Sequence, residues 1–140
     1  MLKYYILLSL FFIIGCQQEI IESTCDQVVL IDNYAYNNNS SSNFTINSVE
    51  IVDNCLKINF GASGCDGDSW QEKLIDSGNV LESYPAQRNL IFNLENSELC
   101  LAYFTKEVSF DISSLQIDSE SSLILNIDNG DNNFELLYEY

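Results

Sequence analysis

Carboxylates and thiols are the groups in this chain that could do chemistry. Asp66-Gly67-Asp68 sits in a Gly-rich stretch and could offer hard oxygen ligands to Ca²⁺. A full calcium loop needs further oxygens at fixed spacing, and the pattern D-x-[DN]-x-[DN]-G does not occur. Asp128-Asn129-Gly130-Asp131-Asn132 comes near it but puts Gly130 where the third ligand belongs. Both segments read first as turns in which Asp and Asn bond their own backbone. With 21 acids, some pair always lies at a glycosidase-like distance, so spacing singles out no acid–base couple. The chain has no His, which removes Ser-His-Asp and Cys-His catalysis, a histidine base and any His-ligated metal. No catalytic residue is assigned and the chain reads as a non-enzyme. Asp66 and Asp68 remain the only metal candidates, with Ca²⁺ the only cofactor considered.

The thiols divide into one and four. Cys16 closes an N-terminal segment with its own logic: Lys3, then an eleven-residue apolar run from Tyr4 to Ile14, then Gln17-Gln18-Glu19. Crossing a bilayer takes about twenty apolar residues, so the run is too short to span. Ile13-Ile14-Gly15-Cys16 resembles the bacterial lipobox: an aliphatic residue, a small residue before the cut, and the Cys that receives lipid. The resemblance implies cleavage before Cys16, diacylation of its thiol and acylation of its new amine. Residues 1–15 are then a removed signal peptide, 16–26 a lipidated tether and 27–140 a single domain. Each buried acyl CH₂ contributes about 0.8 kcal/mol, so several chains anchor the protein to a membrane durably. Gln17 is not the Asp that retains many such proteins at the inner membrane, which favours the outer membrane and leaves the leaflet open.

Only 5 basic residues oppose the 21 acids, a formal charge of −16. Without Lys3 the balance is 21 acids against 4 bases, or −17. Nothing could neutralise a run of phosphates, so nucleic acid is excluded as a partner. Such a charge keeps the body soluble and favours cationic partners. The protein or glycan partner itself is not legible.

Cys25, Cys55, Cys65 and Cys100 contain no C-x-x-C, which leaves redox-motif and zinc-knuckle readings without support. The lipobox places them outside the cytoplasm, where disulfides persist, and four cysteines allow three connectivities. The favoured one is Cys25–Cys55, tying the N-terminal arm to the domain, with Cys65–Cys100, tying the Gly-rich turn to a strand. Each closes a loop of about thirty residues, which by chain entropy stabilises by roughly 3–4 kcal/mol.

These groups must be held by strands, because the apolar pattern has period two. Leu56-Lys57-Ile58-Asn59-Phe60, Glu107-Val108-Ser109-Phe110-Asp111-Ile112 and Phe134 to Tyr140 alternate cleanly. Leu99-Leu101-Tyr103 and Leu123-Leu125-Ile127 do so more loosely. Turn clusters at 37–43, 61–68, 76–79, 95–97, 118–122 and Asn129-Gly130 separate them, the last a type I′ hairpin signal. Strands are expected near 27–34, 44–53, 55–61, 69–75, 88–95, 98–104, 106–112, 122–128 and 133–139. The predicted fold is all-β, an antiparallel two-sheet sandwich of immunoglobulin-like architecture, with a small barrel as the alternative. The immunoglobulin signature itself is missing: Trp70 follows Cys65 by only five residues, and Glu98 stands where a Tyr would precede the second Cys. Trp70, Tyr84, Tyr103, Tyr138 and Tyr140 could form a carbohydrate platform, although strand aromatics belong more often to cores. Together with Asp66 and Asp68 they define the alternative function, calcium-dependent glycan binding or cleavage at the cell surface.

Three blocks in order, Phe60 to Trp70, Ser83 to Gln87 and Val108 to Leu115, resemble uncharacterised envelope lipoproteins of Bacteroidetes-type bacteria over residues 47–140. In these a Gly-Cys turn is followed by a second Cys some thirty-five residues on and by a V-x-F-D-I-x-x-L strand. The resemblance supports the Cys65–Cys100 pairing and implies no activity. Members often carry a His-Asp-like pair after the turn; here Gly67-Asp68 stands there, so a role for that His does not transfer. The expected function is a lipid-anchored, non-enzymatic binding or accessory module.

Overall fold

The computed structural model describes residues 24–129 and 132–140. The lipobox with Cys16, and Gly130 of the Asn129-Gly130 turn, lie outside them. Within them nine strands and two short helical turns follow in order: β1 (Gln27–Val28), β2 (Leu30–Ile31), α1 (Asn33–Asn37), β3 (Thr45–Val52), β4 (Cys55–Gly64), β5 (Gln71–Leu81), β6 (Ala86–Glu95), β7 (Ala102–Asp111), a 3₁₀ turn (Ser113–Leu115), β8 (Ser122–Asp128) and β9 (Asn133–Glu139). They form two layers, one ordered β1-β7-β4-β3 and the other β2-β5-β6-β8-β9. This is the sandwich expected from the alternating pattern, and the sheets do not close into a barrel.

Period-two alternation delivers the core. Leu56, Ile58 and Phe60 of β4, Leu90, Phe92 and Leu94 of β6, and Leu123, Leu125 and Ile127 of β8 all face inward and are buried. Phe60, Phe92 and Phe110 form a tilted and edge-on aromatic chain between the sheets. The β8–β9 hairpin pairs Ser122 with Glu139 and Asp128 with Asn133, as the sequence predicts.

The structure departs from the sequence reading in several places, the first being the turn expected at 61–68, whose residues 61–64 instead complete β4. The sheets are mixed rather than purely antiparallel, because β6 runs parallel to β8 and the two N-terminal strands run parallel to β7 and β5. The single strand expected at 27–34 is two dipeptide strands, one in each sheet, with buried Val29 at the crossing. Asp32 then ends the strand by capping α1, its carboxylate accepting the Ala35 N–H at 3.0 Å. The turn expected at 76–79 is a register shift inside β5, so that β5 continues to Leu81. Strands expected at 98–104 and 106–112 are one strand, β7, and residues 98–101 lie off the sheet.

Two carboxylates are buried on core-facing positions. Asp76 is fully buried and accepts from Arg88 Nη2 at 2.9 Å and Nε at 3.1 Å, while Gly78 N–H donates to it at 2.7 Å. Arg88 shares the inward alternation of Leu90, Phe92 and Leu94, so this ion pair belongs to the interior of the sandwich. Glu72 is paired across the layers with Lys106 at 2.8 Å. With Lys57–Glu50 and Lys73–Glu95, all four described basic residues are engaged in ion pairs.

Candidate functional site: the disulfide-locked loop at the end of β4

Strand β4 starts at Cys55 and its last residue, Gly64, precedes Cys65, so the two disulfides stand at its opposite ends, about 30 Å apart. Cys25–Cys55 has a Cα–Cα distance of 5.6 Å and Cys65–Cys100 one of 4.8 Å, both within the usual range. The favoured connectivity is the one present. The first bridge fixes the N-terminal arm, where Asp26 Oδ2 also accepts from Ser109 Oγ at 2.6 Å and Ser109 N–H at 2.8 Å. The second fixes the loop of residues 96–101 at the far end.

That loop is held by more than its disulfide. Asn96 Nδ2 donates to the Ser63 carbonyl at 2.8 Å, and Asn96 N–H donates to Ser42 Oγ at 3.0 Å. Glu98 turns its carboxylate into the Gly-rich turn. There the N–H groups of Cys65, Asp66 and Gly67 converge on Oε2, and Ser69 Oγ donates to Oε1 at 2.8 Å. Such convergence needs Gly67 at φ +78°, a conformation side chains resist, and forms a concavity suited to anions. Partial loss of water pushes the Glu98 carboxyl upward, but the Ser69 hydroxyl and three backbone donors outweigh it and lower it from 4.5 to about 2.

Asp66 and Asp68 flank this anion-accepting turn. Asp66 Oδ1 accepts the Asp68 N–H at 3.0 Å, an Asx turn, and among the described residues no three Cys, Asp or Glu cluster as a metal site. The backbone dipoles therefore point the wrong way for a cation at the turn's centre.

Locked in this way, the loop presents apolar side chains to solvent. Leu99 is 94% exposed and Leu101 92%, and Tyr103, two residues on, is 57% exposed. The alternation Leu99-Leu101-Tyr103, read from sequence as a core-facing strand, thus faces outward. The disulfide at Cys100 and the Glu98 anchor hold the backbone off the sheet. Tyr103 lies across Gly61 of the neighbouring strand, where any Cβ would collide with its ring. The disulfide and the carboxylate clamp thus hold two leucines in solvent on a loop of fixed shape. The sequence reading did not single out Glu98, Leu99 or Leu101 as site candidates. The one available signal was the acid and apolar pair immediately before Cys100.

The aromatic platform does not form. Trp70 and Tyr138 are buried, the first against Phe60 and the second bonded to Asn54 Oδ1 at 2.6 Å. Tyr140 packs against Tyr138 with tilted rings, centroids 5.0 Å apart. Tyr84 lies in the β5–β6 connection of one sheet and Tyr103 in β7 of the other, so these residues share no face.

No family model matches the sequence, and no curated protein matches it significantly. Solved structures do share its shape. A protein from Parabacteroides distasonis described as toxin-related superposes with a TM-score of 0.56 at 18% identity, over 81% of this chain and 60% of that one. A protein of unknown function from Bacteroides vulgatus gives 0.55 at 11% identity, covering 81% and 55%. A NigD-like immunity protein from Bacteroides caccae gives 0.57 at 9% identity, covering 81% and 64%. The fold is shared. At these identities that is all the likeness shows, and this chain spans about three fifths of each neighbour's length. Their sources agree with the Bacteroidetes-type resemblance of the sequence.

Proposed function

We propose that the chain is a lipid-anchored envelope protein that acts without catalysis, as an accessory module docking a partner on its Leu99–Leu101 loop. The anchor is Cys16, acylated after cleavage at the lipobox, and the membrane is the outer one. The observation that carries the reading is the polarity of the body along β4. Eight residues lie between Cys16 and Cys25, a reach of at most about 30 Å, so the Cys25–Cys55 end is the tethered one. The opposite end carries the clamped loop with its two fully presented leucines. The neighbours described as toxin-related and as an immunity protein share the fold, and the accessory role proposed here is compatible with those descriptions. The rival calcium-dependent reading loses support, because the turn bearing Asp66 and Asp68 gathers N–H donors around a carboxylate.

The test is detergent phase partitioning of the full chain expressed in a Bacteroides-type host. Wild type enters the detergent phase and Cys16→Ser stays in the aqueous phase. Equal partitioning of the two would end the anchored reading.

A further inference from the structure

A second surface lies away from the loop, on the outer face of the five-stranded sheet. The parallel pairing of β6 with β8 sets Asn89 beside Asn126, and the β8–β9 hairpin sets Asn126 beside Glu135. Three polar side chains therefore stand in one row across three adjacent strands, a span of about 10 Å. Two residues along, Asp128 is paired with Asn133 on the same face. Helix α1 brings Tyr36 over this face, and the six residues line an open cleft of about 480 Å³.

The row is preorganised. Asn126 Nδ2 donates to Gln87 Oε1 at 3.0 Å and to Asn89 Oδ1 at 3.2 Å, which orients the three amides relative to one another. Burial, then the negative charges of Asp128 and Asp76, raise the Tyr36 phenol above its ordinary 10.0, so it stays a hydroxyl donor.

Planar amides and carboxylates in a shallow cleft beside an aromatic ring match the alternating donors and acceptors of a polyol. Carboxylates take sugar hydroxyl protons, amides bond vicinal oxygens in pairs, and the ring covers C–H groups. Asp128 and Glu135 repel anionic sugars, and no described base remains unpaired to hold one. The chain's net negative charge also attracts cations, but an amide, Asn126, and not a carboxylate occupies the centre of the row, which favours hydroxyls over ammonium groups.

We propose that this cleft binds a neutral glycan, with Asn89, Asn126 and Glu135 reading hydroxyls and Tyr36 covering a sugar face. The inference rests on the reading of the protein as a binding module, but at a site independent of the Leu99–Leu101 loop.

The experiment is ¹⁵N chemical-shift mapping of the full chain in detergent. Its probes are cellohexaose, xylohexaose, maltohexaose and mannohexaose, with hexagalacturonate and hexalysine as charged comparators. A neutral hexaose shifts the amides of β6, β8, β9 and α1 at millimolar concentration. Asn126→Ala and Glu135→Gln each weaken it about tenfold, the loss expected for one or two hydrogen bonds, while Tyr103→Ala changes nothing. Absence of shifts with all four neutral sugars overturns the proposal, as does binding insensitive to both cleft variants. Hexalysine binding in place of a sugar also overturns it. Each of these failures leaves the partitioning of wild type and Cys16→Ser untouched, so the anchored-module reading stands or falls separately.

Discussion

Replacing Arg88 by Met should be among the most damaging single changes in the domain. Asp76 is fully buried; Arg88 supplies two of its hydrogen bonds, at 2.9 and 3.1 Å, and Gly78 N–H donates a third at 2.7 Å. Arg88→Met keeps the length of the side chain but strands a carboxylate inside the sandwich. Breaking one side of a buried pair costs about 3–5 kcal/mol, mostly for the charge left behind. Asp76→Asn with Arg88→Met removes both charges while keeping an acceptor for Gly78 N–H, and should cost only about 1–2 kcal/mol. The double variant is thus more stable than the Arg88→Met single, a coupling that a double-mutant cycle isolates. Urea unfolding with both disulfides intact reads it as a shift of midpoint at unchanged slope. In a melt the single variant loses on the order of 10–20 °C. An Arg88→Met cost below about 1 kcal/mol, or a double variant as unstable as the sum of the singles, would refute the buried-pair reasoning.

Glu98 gives a pH signature. Its folded pKa lies below its unfolded one, so its contribution is present above pH 4.5 and is lost as pH falls through about 2; Glu98→Gln should flatten acid unfolding across that window. Replacing Cys65 and Cys100 together by Ser opens a loop of 35 residues and should cost roughly 2–5 kcal/mol in chemical denaturation. Leu99→Ser and Leu101→Ser should each leave stability within about 0.5 kcal/mol, because neither side chain is packed; a larger loss in urea melts would place them in a core after all. Tyr138→Phe should lose about 1–2 kcal/mol, since its hydroxyl bonds Asn54 at 2.6 Å and Gln116 at 2.7 Å.

Strands whose alternation is clean were legible in the sequence. Leu56 to Phe60 and Phe134 to Tyr138 sit as their period demands, and the hairpin register follows from it. Leu99-Leu101-Tyr103 shows where that rule stops. Period two says which residues share a face but not which face meets water, and here a disulfide and Glu98 decide. The charged residue in β6 misleads for a related reason: Arg88 interrupts an apolar face because its partner, Asp76, arrives from a register shift in β5. Neither the parallel β6–β8 contact nor the Asn89–Asn126–Glu135 row follows from local pattern, because both depend on strand order. The even number of thiols narrowed the disulfides to three connectivities, and the Bacteroidetes-type resemblance rather than the pattern supported the Cys65–Cys100 pair that is present.

Intact mass spectrometry of the protein extracted from membranes tests the central claim most directly. The predicted species begins at Cys16, carries the added mass of acyl chains on that residue, and retains two disulfides on the other four cysteines. A protein that still begins at Met1, or one that begins at Cys16 with a free thiol and no lipid, would contradict the account.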